Sequence, residues 1–207
     1  MKKYFLTIII AAILFSCSKS ESQMDRTIFI QDEMDAQLPA YTEWGYNAFG
    51  AKIDRQYFLS SNDILPCKVL YKNGLLRFSL IGYYTSATST QMTLTFCLPV
   101  EQMTKYSDLV ILNNKNFDLS SPEITVILSK IGNSGHSNYE TTDTLNIIEG
   151  ILNFRRAQML NIDNEPNRAI LSGTFDFRYL DNNDFPVNCS DGRFDMGINN
   201  DNSYFYQ

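Results

Sequence analysis

The strongest constraint on the fold is a pair of strand-like segments joined by the dipeptide Asn73-Gly74. Residues 68–71 lead into this dipeptide and residues 75–81 lead out of it. Asn-Gly adopts the positive φ angles of a type I′ turn at little cost, and the twist of that turn suits two antiparallel strands. The sequence therefore predicts a tight β-hairpin at this point of the chain.

The same pattern of short strands and turns recurs along the chain. Residues 47–53 and 56–59 flank Asp54-Arg55, a weaker turn pair. Further strands are predicted over residues 91–98, 123–130, 144–148, 150–160, 169–180 and 187–198. One helix is predicted over residues 100–112 and a polar loop over residues 131–142. Short strands without intervening amphipathic helices predict an all-β fold, a single antiparallel β-sandwich-like domain with a barrel as the alternative.

Composition agrees with a β-rich chain and excludes some functions. The 207 residues, enough for one domain, include 14 Phe and 12 Tyr, residue types that favour strands. The formal net charge is −6 and the chain has no basic run, which argues against binding nucleic acid. With one His and no pair of Cys at metal-ligand spacing, the sequence predicts neither a metal site nor a cofactor.

The first residues have the order of a secretory signal. Lys2 and Lys3 precede an apolar run over residues 4–15, and the small residue Ser16 follows. The run is much shorter than the roughly 20 residues of a membrane-spanning helix. An ordinary signal peptide followed by an incidental Cys17 is the alternative to the interpretation that follows.

Leu14-Phe15-Ser16-Cys17 resembles the lipobox of bacterial lipoproteins. The resemblance implies that residues 1–16 are a signal peptide and that lipidated Cys17 is the mature N-terminus. Two or more acyl chains anchor a protein stably, so the membrane is an expected partner. We expect residues 17–43 to be the lipidated N-terminus and a flexible tether, and residues 44–207 to be the β-rich domain. The expected location is the cell envelope, anchored to the outer membrane, in either the periplasmic or the surface-exposed leaflet.

Three segments in the last third of the chain form a second recognisable pattern. Residues 150–154 are followed by Leu-Ser-Gly-Thr-Phe-Asp-Phe at 171–177 and by Gly-Arg-Phe at 192–194. Together with residues 47–53, they resemble a family of Bacteroidetes lipoproteins of unknown function. The 171–177 motif also fits a half-buried strand, with Gly173, Phe175 and Phe177 on one face. The resemblance therefore implies a fold and a location more than a site.

Besides Cys17, the chain has three cysteines, at positions 67, 97 and 189. An odd number allows at most one disulfide among them and leaves one thiol over. Cys97 lies in an apolar strand-like segment, where a small buried hydrophobe is the simpler interpretation. The disulfide stays open at this point.

No catalytic set is predicted. His136 lies in a Gly- and Ser-rich segment without the strand-turn-helix context of a serine hydrolase, so a loop histidine is expected. Asp176 and Asp195 lie on strands expected to be near each other, and glycoside hydrolysis needs two carboxyl groups about 5–9 Å apart. However, 23 acidic residues produce such pairs by chance.

Aromatic residues suggest a binding role instead. Trp44, Tyr83 and Tyr84 are candidates for a ligand platform that takes a glycan or a protein segment, with core or edge packing as the alternative. Asp143-Thr144-Leu145 resembles an O-glycosylation site of Bacteroidetes, which would place Thr144 on the surface. The sequence predicts a lipid-anchored, non-enzymatic binding module; the alternative is an envelope glycan hydrolase using paired carboxylates.

Overall fold

A computed structural model describes residues 26–133, 138–162 and 165–206. These residues form twelve strands and one 3₁₀ helix, Tyr106–Leu112. The strands are β1 Ala48–Ile53, β2 Gln56–Leu59, β3 Cys67–Lys72, β4 Leu75–Tyr84, β5 Ala87–Pro99, β6 Lys115–Asp118, β7 Thr125–Asn133, β8 Asn138–Thr144, β9 Asn146–Ile162, β10 Glu165–Leu180, β11 Pro186–Ile198 and β12 Ser203–Tyr206. His136, Cys17 and the predicted signal peptide lie outside the described residues.

All twelve strands belong to one sheet, which curls into a half-barrel. The main order is β6-β9-β10-β11-β1-β2-β4-β5-β7-β8, with β3 beside β4 and β12 beside β3. Every pair is antiparallel except β12 with β3. The predicted all-β antiparallel class is confirmed, and its form lies between the sandwich-like and barrel alternatives.

The two edge regions of the sheet, β6-β9 and β7-β8, are joined by the chain at Leu145. Strand β8 ends one residue before it and β9 begins one residue after it. The Leu145 N–H donates to the carbonyl oxygen of Val126 on β7 at 2.9 Å. One long, bent stretch of chain therefore pairs with β7 in its first part and with β10 in its second.

Phenylalanine side chains fill the concave face. Phe194 on β11 is 1% exposed, and its ring centroid lies 4.9 Å from that of Phe78 and 5.4 Å from that of Phe154. Phe96 and Phe175 continue the cluster at 5.4 Å. The period-two alternation of the strands places these rings on one face, and the curl of the sheet brings them together.

The segment that follows β5 covers one end of the half-barrel. Its helix is shorter than predicted, because only Tyr106–Leu112 is helical and residues 100–105 are not. Asp108 stabilises the start of the helix by accepting hydrogen bonds from the backbone N–H groups of Thr104 and Lys105. Leu109 and Leu112 are buried in the core, so this helix closes the end beside Pro99.

The predicted polar loop over residues 131–142 is wrong for the described part of that range. Strand β7 continues to Asn133, and β8 pairs with it from Asn138 onward. Strand β8 has a polar sequence because it lies at an edge of the sheet, where exposed polar side chains protect against unwanted pairing. Polarity was therefore a misleading sign of a loop here.

The predicted boundary at Trp44 also differs from the structure. Residues 26–46, called the strap below, lie across the convex face of β1, β10 and β11. Leu38 in the strap is 0% exposed, and a Cβ on Gly50 would lie 2.5 Å from Pro39 Cδ. Residues 26–43 thus pack against the sheet instead of forming a tether, because Gly50 leaves room for them.

Cys67, Cys97 and Cys189 are free and buried. Burial raises the pKa of all three thiols, which lowers their reactivity near neutral pH. Within the described residues, the open question of a disulfide is thus settled in favour of free thiols. No helix in the described ranges is both long and apolar enough to cross a bilayer.

The aromatic cluster makes a stability prediction. Phe194→Ala should lower the free energy of unfolding by about 3–5 kcal/mol, because it leaves a cavity among packed rings. Urea denaturation followed by far-UV circular dichroism measures this change. Phe185→Ala, at a residue that is 66% exposed, is the matched control and should stay within about 0.5 kcal/mol of the parent. Equal effects of the two substitutions would contradict the assigned core.

Candidate functional site: a cleft at the open end of the half-barrel

A cleft lies at the end of the half-barrel opposite the 3₁₀ helix. Strand β4 runs from Leu75, beside Pro99 at the covered end, to Tyr84 in this cleft. The cleft has a volume of about 850 Å³, within the range of small-molecule sites. It is lined by Ile53, Asp54, Arg55, Gln56, Tyr84, Lys130, Tyr179, Asp181, Val187, Asn188 and Ser190.

Two tyrosines form the aromatic part of the cleft. Tyr84 packs its ring against Phe58 at 6.3 Å, and Tyr179 packs against Phe177 at 6.0 Å. Burial raises the pKa of Tyr179 to about 12, and it also raises the pKa of Tyr84. Both phenols therefore stay neutral over the physiological pH range and can donate hydrogen bonds to a ligand.

The rim of the cleft is polar and carries both signs of charge. Asp54 and Arg55 form the turn between β1 and β2, and the Asp54 N–H donates to the carbonyl oxygen of Asn188 at 2.8 Å. This bond holds the turn beside β11. Lys130 on β7 and Asp181 after β10 contribute one further charge of each sign. The rim thus offers donors and acceptors without a dominant charge.

The structure separates the three residues of the predicted aromatic platform. Tyr83 and Tyr84 are consecutive in β4 and so point to opposite faces of the sheet. Tyr84 lies on the concave face beside Phe58, whereas Trp44 is 71% exposed on the strap, which covers the convex face. Only Tyr84 belongs to the cleft, and its aromatic partner there is Tyr179.

The sequence does not single out Tyr179 as a site residue. It continues the apolar alternation of Phe175 and Phe177, which predicts a position in the core. The residue is indeed largely buried, at 9% exposed. It is the last but one residue of β10, just before the turn that leads to β11. That position would mark it as a site residue only if one knew which strand ends meet at the open end.

Asp176 and Asp195 do not form a catalytic pair. Ser172 lies opposite Asp195, so Asp176 lies four residues further along the strand, about 13 Å away. Glycoside hydrolysis needs a separation of about 5–9 Å. Asp176 instead accepts a hydrogen bond from the backbone N–H of Asp191 at 2.9 Å.

Asp195 instead fixes the strap to the sheet. Its carboxylate is 2% exposed. It accepts five hydrogen bonds, from the hydroxyls of Thr42 and Ser172 and from the backbone N–H groups of Trp44, Gly45 and Tyr46. Hydrogen bonds to a charged group are stronger than neutral ones, and a buried carboxylate needs such partners. This residue therefore has a positioning role.

Ion pairs hold the middle of the strap. Lys52 Nζ lies 2.7 Å from Asp35 and 3.1 Å from Asp191, and Arg193 pairs with Asp32. The hydrogen bond from Lys52 is the main cause that lowers the pKa of Asp35. The pKa of Asp32 is lowered chiefly by the backbone N–H of Met34, with Arg193 contributing. Both carboxylates, when they are ionised, thus stabilise the packed position of the strap.

Thr144 is exposed at the end of β8, where a modifying enzyme can reach it. Its glycosylation remains a prediction. Across the described residues, no group of three or more His, Cys, Asp or Glu side chains is arranged to hold a metal ion.

Comparisons of the chain with protein-family models, curated proteins and solved structures give no match. Function is therefore inferred from the geometry of the cleft and the strap, together with the sequence patterns at the two ends of the chain.

Replacement of Asp195 should loosen the attachment of the strap. Asp195→Asn keeps the size of the side chain but places an amide against N–H donors, so the free energy of unfolding should fall by about 2–3 kcal/mol. Limited proteolysis should also cut the strap faster. Asp184→Asn is the matched control, because Asp184 is exposed and has a φ of 61° that Asn tolerates. An unchanged proteolysis rate in Asp195→Asn would contradict the positioning role.

The attachment of the strap should depend on pH. Asp32 and Asp35 have lower pKa values in the folded protein, so their stabilisation is complete above the ordinary carboxyl pKa of about 4 and is lost as the pH falls further. Release of the strap should lower the fluorescence anisotropy of Trp44 between about pH 4 and pH 2. A Lys52→Met, Arg193→Met double variant should lose this acid step. An anisotropy that stays constant down to pH 2, with unchanged circular dichroism, would contradict the ion-pair account.

Proposed function

We propose that this chain is a lipid-anchored protein of the outer membrane that binds a glycan in the cleft without transforming it. The lipobox-like segment ending at Cys17 and the resemblance to Bacteroidetes lipoproteins support the anchoring and the location. The cleft supports the binding role. These two parts are independent and can be tested separately.

The observation that carries the binding role is the combination of two tyrosines with a mixed polar rim. A sugar ring has apolar C–H faces and polar hydroxyl edges, so it fits amphipathic aromatic side chains surrounded by donors and acceptors. Tyr84 and Tyr179 supply the aromatic surface and the neutral phenol hydroxyls. Asp54, Arg55 and Asn188 supply partners for sugar hydroxyls at the rim. The balanced charge of the rim favours a neutral glycan over a polyanion.

The alternative function is a glycan hydrolase that uses paired carboxylates. The hydrolase is favoured by the presence of two carboxylates, Asp54 and Asp181, that both line the cleft. Because Asp176 and Asp195 lie far apart, these two carboxylates are the pair that such an enzyme would use. Product formation from a bound glycan, lost in Asp54→Asn and Asp181→Asn, would support the hydrolase and contradict the non-enzymatic proposal.

The binding proposal predicts saturable binding of one glycan class on an array of bacterial, dietary and host glycans. Tyr84→Ala should weaken that binding about tenfold or more, because a stacked aromatic ring contributes about 1.4 kcal/mol or more at such a site. Tyr83→Ala is the matched control, since it removes the adjacent tyrosine from the opposite face of β4. Its binding should be unchanged.

Two results would contradict the binding proposal. One is an array on which the folded parent protein binds nothing. The other is loss of binding in Tyr83→Ala while Tyr84→Ala binds normally, which would place the site on the convex face. Circular dichroism of each variant distinguishes loss of binding from loss of the fold.

A further inference from the structure

We propose that the exposed apolar side chains of the strap rest on the surface of the bilayer to which the chain is anchored. The surface consists of Ile28, Phe29, Ile30 and Trp44, called the strap patch below. This inference depends on the lipid anchor of the proposed function and adds a defined orientation of the domain on the membrane. It concerns the convex side of the sheet and not the cleft.

The strap patch is apolar and exposed although the strap itself is packed. Ile28, Phe29 and Ile30 are 46%, 40% and 45% exposed, and Trp44 is 71% exposed. The beginning and the end of the strap lie side by side, because the Ile28 N–H donates to the carbonyl oxygen of Tyr46 at 2.8 Å. Ile28, Phe29 and Ile30 are consecutive, and Tyr46, the partner of Ile28, is two residues from Trp44, so the four exposed residues lie in the same part of the strap. Exposed apolar side chains that lie near one another typically mark a contact surface.

The length of the chain before the strap identifies the bilayer as the occupant. Nine peptide steps separate Cys17 from Arg26, the first described residue. Even a fully extended chain of that length spans only about 30 Å. If Cys17 carries the lipid, the strap is held within that distance of the membrane. The strap patch begins two residues further on, at Ile28.

The charges around the strap patch are compatible with lipid headgroups. Three of the four strap carboxylates, those of Asp32, Asp35 and Glu43, pair with Arg193, Lys52 and Arg156 respectively, and the exposed Glu33 is the fourth. These pairs offset the negative charge that would otherwise oppose contact with anionic lipid. Close to Trp44, the guanidinium of Arg155 lies 5.4 Å from the centre of the Tyr41 ring. Aromatic residues are enriched at the headgroup level of membranes, and basic side chains also anchor there.

The strap patch lies apart from the cleft. The Trp44 N–H contacts Asp195 near one end of β11, and Asn188 in the cleft lies near the other end. These seven residues of strand correspond to about 20 Å. The strap patch and the cleft are therefore separate surfaces, and contact of the strap patch with lipid does not require the cleft to be covered.

Trp44 provides a direct readout, because it is the only tryptophan of the chain. The chain from Cys17 onward, which contains all described residues, is coupled through Cys17 to a maleimide lipid. The vesicles contain phosphatidylethanolamine and phosphatidylglycerol. Cys67, Cys97 and Cys189 are buried and should not couple. Vesicles with acyl chains brominated near the headgroup should quench Trp44 emission about twofold, and aqueous iodide should quench it less than in the uncoupled protein.

The matched control has its single tryptophan at a different position on the domain. A Trp44→Phe, Phe185→Trp variant places the tryptophan at an exposed residue in the turn between β10 and β11, near the cleft. Its emission should resist the brominated lipids and remain open to iodide. Unquenched Trp44, or equal quenching at both positions, would overturn the proposed orientation. Shielding of Trp44 from iodide without quenching by lipid would also overturn it, because that result indicates contact with a second protein copy.

Chemical coupling keeps this test separate from the proposed function. The coupled protein is anchored whether or not a cell lipidates Cys17, so a negative result with it concerns the strap patch alone. A failure of natural lipidation would instead appear in the mass of the mature protein and would leave the vesicle result unchanged.

Discussion

The burial of aromatic side chains on one face of a single sheet determines the shape of the molecule. In the described part of the chain, seven phenylalanines on that face are less than 2% exposed: Phe49, Phe58, Phe78, Phe96, Phe154, Phe175 and Phe194. Burying each side chain contributes about 2–3 kcal/mol, and one open sheet can bury them only by curling around them. Curling creates two ends. The segment with the 3₁₀ helix covers one end, and the other remains as the cleft lined by Tyr84 and Tyr179.

The convex face follows from the same constraint. A curled sheet leaves its outer side chains to water unless another segment covers them, and here the strap covers part of that face. Gly50 provides the space, Asp195 binds the backbone of residues 44–46, and Lys52 and Arg193 pair with strap carboxylates. The described segment nearest the proposed anchor is thus attached to the domain, as the proposed orientation on a membrane requires.

Local features of the fold were predictable from the sequence because they depend on neighbouring residues. The hairpin at Asn73-Gly74 has the expected positive φ angles, 51° and 81°. The turn at Asp54-Arg55 also joins β1 and β2 as predicted. Strand β8 was missed because an edge strand with polar side chains resembles a loop.

The cleft could not be predicted, because it depends on which distant strand ends meet. Tyr84 and Tyr179 are separated by almost half of the chain. Tyr84 is a candidate from the sequence only beside Trp44 and Tyr83, whereas Tyr179 continues the apolar alternation of Phe175 and Phe177. The strap was misjudged for a related reason. Its polar residues suggested a tether, but their partners, Lys52, Arg193 and Asp195, lie on strands far along the sequence.

We propose that this half-barrel is a binding module held at a membrane by a lipid on Cys17, and the mass of the mature N-terminus tests that lipid anchor. The full chain is produced in a bacterium with lipoprotein processing, and its N-terminal peptide is analysed by mass spectrometry. We expect a peptide that begins at Cys17 and carries a diacylglyceryl group and an added acyl chain, with Cys17→Ser remaining unlipidated. An unlipidated N-terminus at or near Cys17 in the parent chain would contradict the proposed lipid anchor.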